Sequence, residues 1–189
     1  MKKDRFSAFF DAIMAIIMTI GVLGFVQPEG TNWSDLKDLS FQVLTYALSF
    51  FWLGIMWMNI HTLWHDVKVI SKGVMLANLF MLFFASMIPF LTIYLGKNIT
   101  AIVPQILYGI DVILISVCNH ISCELLKKYN PSLESKIPKA RIGLLINISI
   151  IVIAIIIGLT VAPSAVMVGI VLALICVFVQ MIKNRRNGK

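Results

Sequence analysis

Apolar residues run along this chain in six long blocks, at about 7–27, 41–64, 73–95, 99–125, 141–162 and 164–182. Each is close to the roughly 20 residues a helix needs to cross a hydrocarbon core of about 30 Å. Polar segments separate them. Gln27-Pro28-Glu29-Gly30-Thr31-Asn32 combines charge with Pro and Gly, and Ser34, with Lys37 three residues on, predicts the start of the next helix. Lys127-Lys128-Tyr129-Asn130-Pro131 closes the fourth block, and Lys136 to Arg141 opens the fifth. The gap from Gly158 to Ser164 is uncharged and marked by Pro163. One helix over 141–182 would be about 60 Å long, twice the hydrocarbon thickness, so a hairpin is expected there.

Charge tests the count of six. With the N-terminus in the cytoplasm, the inner segments hold Lys2, Lys3, Arg5, Lys68, Lys72, Lys127, Lys128, Lys136, Lys139, Arg141, Lys183, Arg185, Arg186 and Lys189, and the outer ones only Lys37 and Lys97. Fourteen against two is the bias of the positive-inside rule, and five or seven spans would scramble it. Composition agrees: 59% of the 189 residues are hydrophobic and 13% charged, against about 25% charged in soluble domains. The formal charge of +7 is dispersed between apolar runs, so nucleic acid is not an expected partner. Cys118, Cys123 and Cys176 all fall in apolar stretches and form no paired framework. The first block follows Lys2, Lys3 and Arg5 as a secretory leader would. It is nevertheless too long, carries Asp11 early and ends in Val26-Gln27-Pro28 without a cleavage motif, so a mature helix is expected. The expectation is an all-α integral membrane protein, one six-helix unit over 1–189 with both termini cytoplasmic.

The first block reads Arg5-Phe6-Ser7-Ala8-Phe9-Phe10-Asp11-Ala12-Ile13-Met14-Ala15-Ile16-Ile17-Met18-Thr19-Ile20. It resembles the signature of the transmembrane-protein-175 family, the lysosomal potassium channel and its bacterial relatives. That signature is an Arg, three variable residues, then Phe-Ser-Asp opening an apolar helix with a Thr eight residues after the Asp. Arg5, Phe9, Asp11 and Thr19 match, and Phe10 stands where the family has Ser. The second block, with Ser49-Phe50 and Trp57-Met58-Asn59-Ile60-His61, is similar to the family's Ser-Phe and Trp-x-x-x-His pattern. The third, with Asn78-Leu79 and Ile88-Pro89-Phe90, is similar to its Asn-Leu and Leu-Pro-Phe pattern.

At about 100° per residue, Ile16, Ile20, Leu23 and Gln27 share one side of a continuous first helix, with Thr19 on the flank. Asp11 points about 140° away from Ile16. The resemblance implies a homotetramer in which this helix surrounds the axis and lines the pore. Ile16 then forms the narrowest ring, Ile20 and Leu23 continue the constriction, and Thr19 assists selection. Thr19-Ile20-Gly21-Val22-Leu23-Gly24 is superficially similar to a carbonyl filter, but that architecture needs a re-entrant loop between two spans, and here the stretch lies inside the first span. A ring of isoleucines would instead gate by dewetting and favour the ion that sheds water more easily, giving a modestly potassium-selective cation channel. The resemblance also implies that Asp11 is held within one subunit by a set drawn from Arg5, Trp57 and His61. Trp57, His61 and Trp64 recur on one face of the second helix.

Asp111, in the middle of the fourth block, has no basic partner in the sequence and is a possible proton or polar site. Cys118, His120, Cys123 and Glu124 suggest a metal site, yet ligands from one span cannot close a tetrahedron and Cys118 lies about 140° from Cys123, so no metal is expected. Trp33, Trp64 and Tyr129 suit an interfacial belt, and the tail from Lys183 to Lys189 a final basic anchor. No nucleophile–base pair or phosphate-binding loop is legible, so an enzyme is not expected. Expected partners are a second copy of the chain, lipid and permeant potassium, without a cofactor, in a bacterial plasma membrane, the resemblance being to the bacterial, single-unit branch. A proton-permeable channel and a proton-coupled secondary transporter using intramembrane Asp and His are the competing functions.

Overall fold

The computed structural model describes residues 3–133, 137–162 and 165–186, and every regular element among them is helical. Seven α-helices follow one another: α1 (Lys3–Ile20), α2 (Lys37–Trp64), α3 (Lys72–Ala85), α4 (Ile88–Lys97), α5 (Ile102–Tyr129), α6 (Ile137–Thr160) and α7 (Ala165–Arg186). Among the described residues, five stretches are long and apolar enough to cross a membrane: Lys3–Gly24, Leu39–Trp64, Lys72–Lys97, Ile102–Tyr129 and Arg141–Thr160. In α7, a shorter apolar stretch, Ala165–Val179, leads the helix. The chain is an all-helical multi-pass membrane protein.

Three boundaries differ from the hydrophobic pattern, each for a local reason. The first block does not stay α-helical to Gln27. It tightens at Gly21 into a 3-10 turn, Gly21–Gly24, and leaves in extended form at Phe25 (φ −65°, ψ 136°). Pro28 pushes Gln27 away from helical angles, so Gln27 is no part of the α1 face. The third block is broken at Ser86–Met87. Pro89, in the first turn of α4, has no N–H for the Ala85 carbonyl and its ring would collide there. Before α2, the expected start at Ser34 falls inside a 3-10 turn, Trp33–Leu36, and the α-helix begins at Lys37. Between α6 and α7 the chain turns after Thr160; Pro163 and Ser164 lie outside the described residues. So do Lys2, Lys136 and Lys189, and nothing is described of the side chains of Ser34, Lys139, Lys183, Arg185 and Arg186.

The core is built by facing pairs, α3 with α5, α2 with α4, α5 with α6 and α6 with α7, while α1 leans on α2, α3 and α4. Phe6, Phe10, Met14 and Ile17 bury one side of α1. Hydrogen bonds between side chains or to free backbone groups stitch the packed helices, as interiors with no water require. Asn78 Nδ2 donates to Ser122 Oγ at 2.7 Å, joining α3 to α5. Ser49 Oγ meets Thr92 Oγ1 at 2.6 Å and the Tyr108 hydroxyl at 2.8 Å, joining α2, α4 and α5. Gln105 donates to the Ile99 carbonyl (2.6 Å) and accepts from the Met167 amide (3.3 Å), tying α5 to α7.

Candidate functional site

The two sides of α1 differ in what they touch. Against the core lie Phe6, stacked on the Trp64 indole, and Phe10, tilted against it, each with its ring centroid 5.5 Å away. The opposite side is open: Ile16 is 60% exposed, Ile20 47% and Leu23 80%, with Ala12, Ala15 and Thr19 exposed beside them. The Thr19 hydroxyl donates back to the carbonyls of Ala15 (3.0 Å) and Ile16 (3.2 Å). This is a continuous apolar face with one hydroxyl, on a helix whose other face is anchored.

The 3-10 turn alters the register of that face. In an α-helix Leu23 would sit roughly 60° to the side of Ile20. At three residues per turn, residues i and i+3 eclipse, and the rise of about 2 Å per residue places Leu23 roughly 6 Å further along. Ile20 already has the required angles (φ −67°, ψ −22°), so Leu23 stands in line with Ile20.

Asp11 faces α2. Its Oδ1 accepts from Trp57 Nε1 at 2.8 Å, and Ser7 Oγ lies 3.5 Å from its Oδ2. Of the expected set, the structure brings Trp57 alone to the carboxylate. Arg5 is exposed and makes no ion pair with Asp11; six residues apart, the two point about 120° from each other on one helix. His61 is exposed and lies tilted against the Trp57 ring, centroids 5.3 Å apart. Phe9 is half exposed, beside Phe6. Trp64 is not in an interfacial belt: it is buried under Phe6 and Phe10, whereas Trp33 and Tyr129 are exposed.

Asp111 is 6% exposed and its Oδ2 has no hydrogen-bond partner among the described residues. His120 meets Glu124 at 4.0 Å across one helical turn, and Cys123 Sγ turns to Asn119 Oδ1 at 3.9 Å. Cys118 is half-buried and joins neither pair. Sequence reading missed the groups behind the C-terminal end of α1: Gln42, Tyr46 and Ile93. The pair Gly21 and Gly24 was the available signal, since two glycines three apart in a span mark close approach by neighbours.

Comparison with known proteins bears on this helix directly. Residues 5–89 match the family model described as endosomal/lysosomal potassium channel TMEM175. Through this region, a little under half of its length, the chain is similar to the TMEM175 family. A protein named as a potassium channel in Chryseobacterium sp. (strain P1-3) is 38% identical over 117 residues, 62% of this chain and 61% of that relative. Another so named, from Streptomyces collinus, is 29% identical over 100 residues, 51% of this chain and 48% of its own. The chain thus spans about half to six tenths of the curated relatives it matches. Its fold is that of a crystal structure titled as a lysosomal potassium-selective channel TMEM175 homolog from Chamaesiphon minutus, with a TM-score of 0.70 at 19% identity. That likeness covers 94% of this chain and 97% of the other, so the shared fold includes α5, α6 and α7, beyond the residues matched by the family model.

Proposed function

We propose that this chain is a member of the TMEM175 family and one subunit of a homotetrameric channel in the cell membrane that passes potassium passively along a path lined by α1. The observation that carries the reading is the exposed face of Ile16, Ile20 and Leu23, with Thr19 at its flank, on a helix whose other face is anchored in the core. An apolar face of this size on an ordinary span meets lipid; the match of residues 5–89 to the TMEM175 model and the relatives named as potassium channels favour an axis instead. Four copies around an axis turn these side chains into stacked apolar rings, with Ile16 innermost. Such rings offer an ion nothing in exchange for its hydration shell. Passage then favours the cation that gives up water more easily, potassium over sodium, by a modest margin. Asp11, held by Trp57, fixes the rotation of α1 and keeps the carboxylate off the conducting face. Both termini lie in the cytoplasm, in accord with the distribution of Lys and Arg. The permeant ion is the only ligand in this scheme, and no catalytic step is involved.

The full chain in liposomes tests it. Current that reverses near the potassium equilibrium potential, and an Ile16→Asn variant that conducts more and discriminates less, are the expected results. Unchanged currents in that variant would remove Ile16 from the path. A second reading, proton conduction or proton coupling, draws on the partnerless Oδ2 of Asp111. It requires flux that follows a proton gradient and disappears in Asp111→Asn; the channel reading expects potassium current to survive that change.

A further inference from the structure

The outer end of α1 is braced from behind at three successive points. A methyl group on Gly21 would come within 3.1 Å of Tyr46 Cδ2 on α2. One on Gly24 would come within 2.9 Å of Ile93 Cγ1 on α4. Just past the turn, the Val26 amide donates to Gln42 Oε1 at 3.1 Å. Gln42 is 3% exposed and is itself clamped, because α4 crosses it at Gly96, where a methyl would meet the Gln42 Cα at 2.9 Å. The crevice between the turn and these helices, lined by Gly21, Tyr46, Ser49, Pro89 and Thr92, has about 10 Å³ of free space, no more than a single water needs. Packing is tight behind Gly21, but just past the turn Val26 and Gln42 line a cavity of about 320 Å³, so there the chain has room to shift and the Val26–Gln42 bond spans the gap to α2.

We propose that Gln42 is a positioning residue for the outer ring of the conducting path: by holding Val26 to α2 it keeps the Gly21–Gly24 turn wound as a 3-10 helix and Leu23 in line with Ile20. The inference rests on the pore reading above. Without the bond, Val26 loses its anchor and the turn is free to relax toward α-helical winding. Leu23 then swings roughly 60° aside and the outer ring widens. Gln42 touches no ion; it acts through Leu23.

The test uses the full chain in proteoliposomes and reads the potassium-to-sodium permeability ratio from bi-ionic reversal potentials, with oligomer size by size-exclusion chromatography. Gln42→Met keeps length and volume but removes the acceptor. The expected result is an intact oligomer whose permeability ratio falls by about threefold, the scale of one net hydrogen bond, with larger conductance. Gln42→Glu, which keeps an acceptor oxygen in either protonation state, is expected to stay near the wild-type ratio. If Gln42→Met does not assemble, Gly24→Ala displaces the same turn from Ile93; it is expected to lower the ratio, and Gly24→Ala with Ile93→Ala to restore it. A wild-type ratio in Gln42→Met while Ile16→Asn alters it overturns the positioning role and leaves the pore reading standing. Equal loss in Gln42→Met and Gln42→Glu also overturns it, since the acceptor would then not be the cause. If Ile16→Asn too leaves currents unchanged, the pore reading fails and takes this inference with it.

Discussion

An aspartate two turns into an apolar helix is tolerable only if something nearby donates to it, and for Asp11 that donor is the Trp57 indole at 2.8 Å. Asp11→Ala leaves that N–H without its acceptor, a loss of about 1–3 kcal/mol. The expected outcome is less intact oligomer in size-exclusion chromatography, with an unchanged permeability ratio in what assembles. Asn130 is a second such residue, buried at the end of α5. Its Oδ1 accepts from the amides of Lys68 (2.8 Å) and Val69 (3.0 Å), and its Nδ2 donates to the carbonyls of Val69 and Leu126, both at 2.9 Å. One side chain thereby fastens the α2–α3 connection to α5. Asn130→Ala should cost about 2–3 kcal/mol, seen as a lower Tm in detergent, while Asn98→Ala, an exposed residue bonded only within its own turn, serves as the unaffected comparison. Asp11 and its Trp partner were legible in the sequence because the family spacing carries both. The absence of His61 from the carboxylate was not, since it depends on where α1 crosses α2, whereas that of Arg5 follows from helix periodicity, six residues placing the two about 120° apart. Asn130 read only as a loop residue, because hydrogen bonds to residues 61 or 62 positions away leave no local pattern.

At the scale of elements, hydropathy located the helices and missed their internal changes of winding. A break needs only one residue with the wrong backbone chemistry, and mean hydropathy does not register it. Pro89 splits the third block into α3 and α4 without interrupting its apolar run, and Gly21 changes the first block to 3-10 in the same silent way. Contact between elements was equally hidden. Gly169 on α7 sits so close to α6 that an added methyl would collide with the Ala154 methyl. Small residues set such distances in membranes, where association relies on close packing. Gly169→Leu is expected to separate α6 from α7 and destabilise the protein by about 2 kcal/mol or more, lowering Tm in detergent. Val168→Leu, one residue away and 56% exposed, should change it little.

For the whole molecule the expectations concern orientation and symmetry. In the proposed orientation the loop after α1 lies outside, and Trp33 in that loop is 90% exposed. In a background without Cys118, Cys123 and Cys176, Trp33→Cys should react with a membrane-impermeant maleimide applied to the outside of intact cells. Labelling only after lysis would invert the topology. Images of the detergent-solubilised assembly should show fourfold symmetry with α1 nearest the axis; Ile16 facing lipid would dismantle the pore reading.

The hydroxyl of Thr19 has one hydrogen, and it is committed to the carbonyls of its own helix at 3.0 and 3.2 Å. It cannot turn a proton outward without giving up those bonds. Toward the open side of α1 it therefore presents oxygen electron pairs alone. On the proposed path chloride, which needs donors, would find none in this hydroxyl, whereas a partly stripped cation would meet an acceptor. On the proposed path the sign of the permitted charge would thus be chosen by a neutral side chain, through the direction in which its single O–H is fixed.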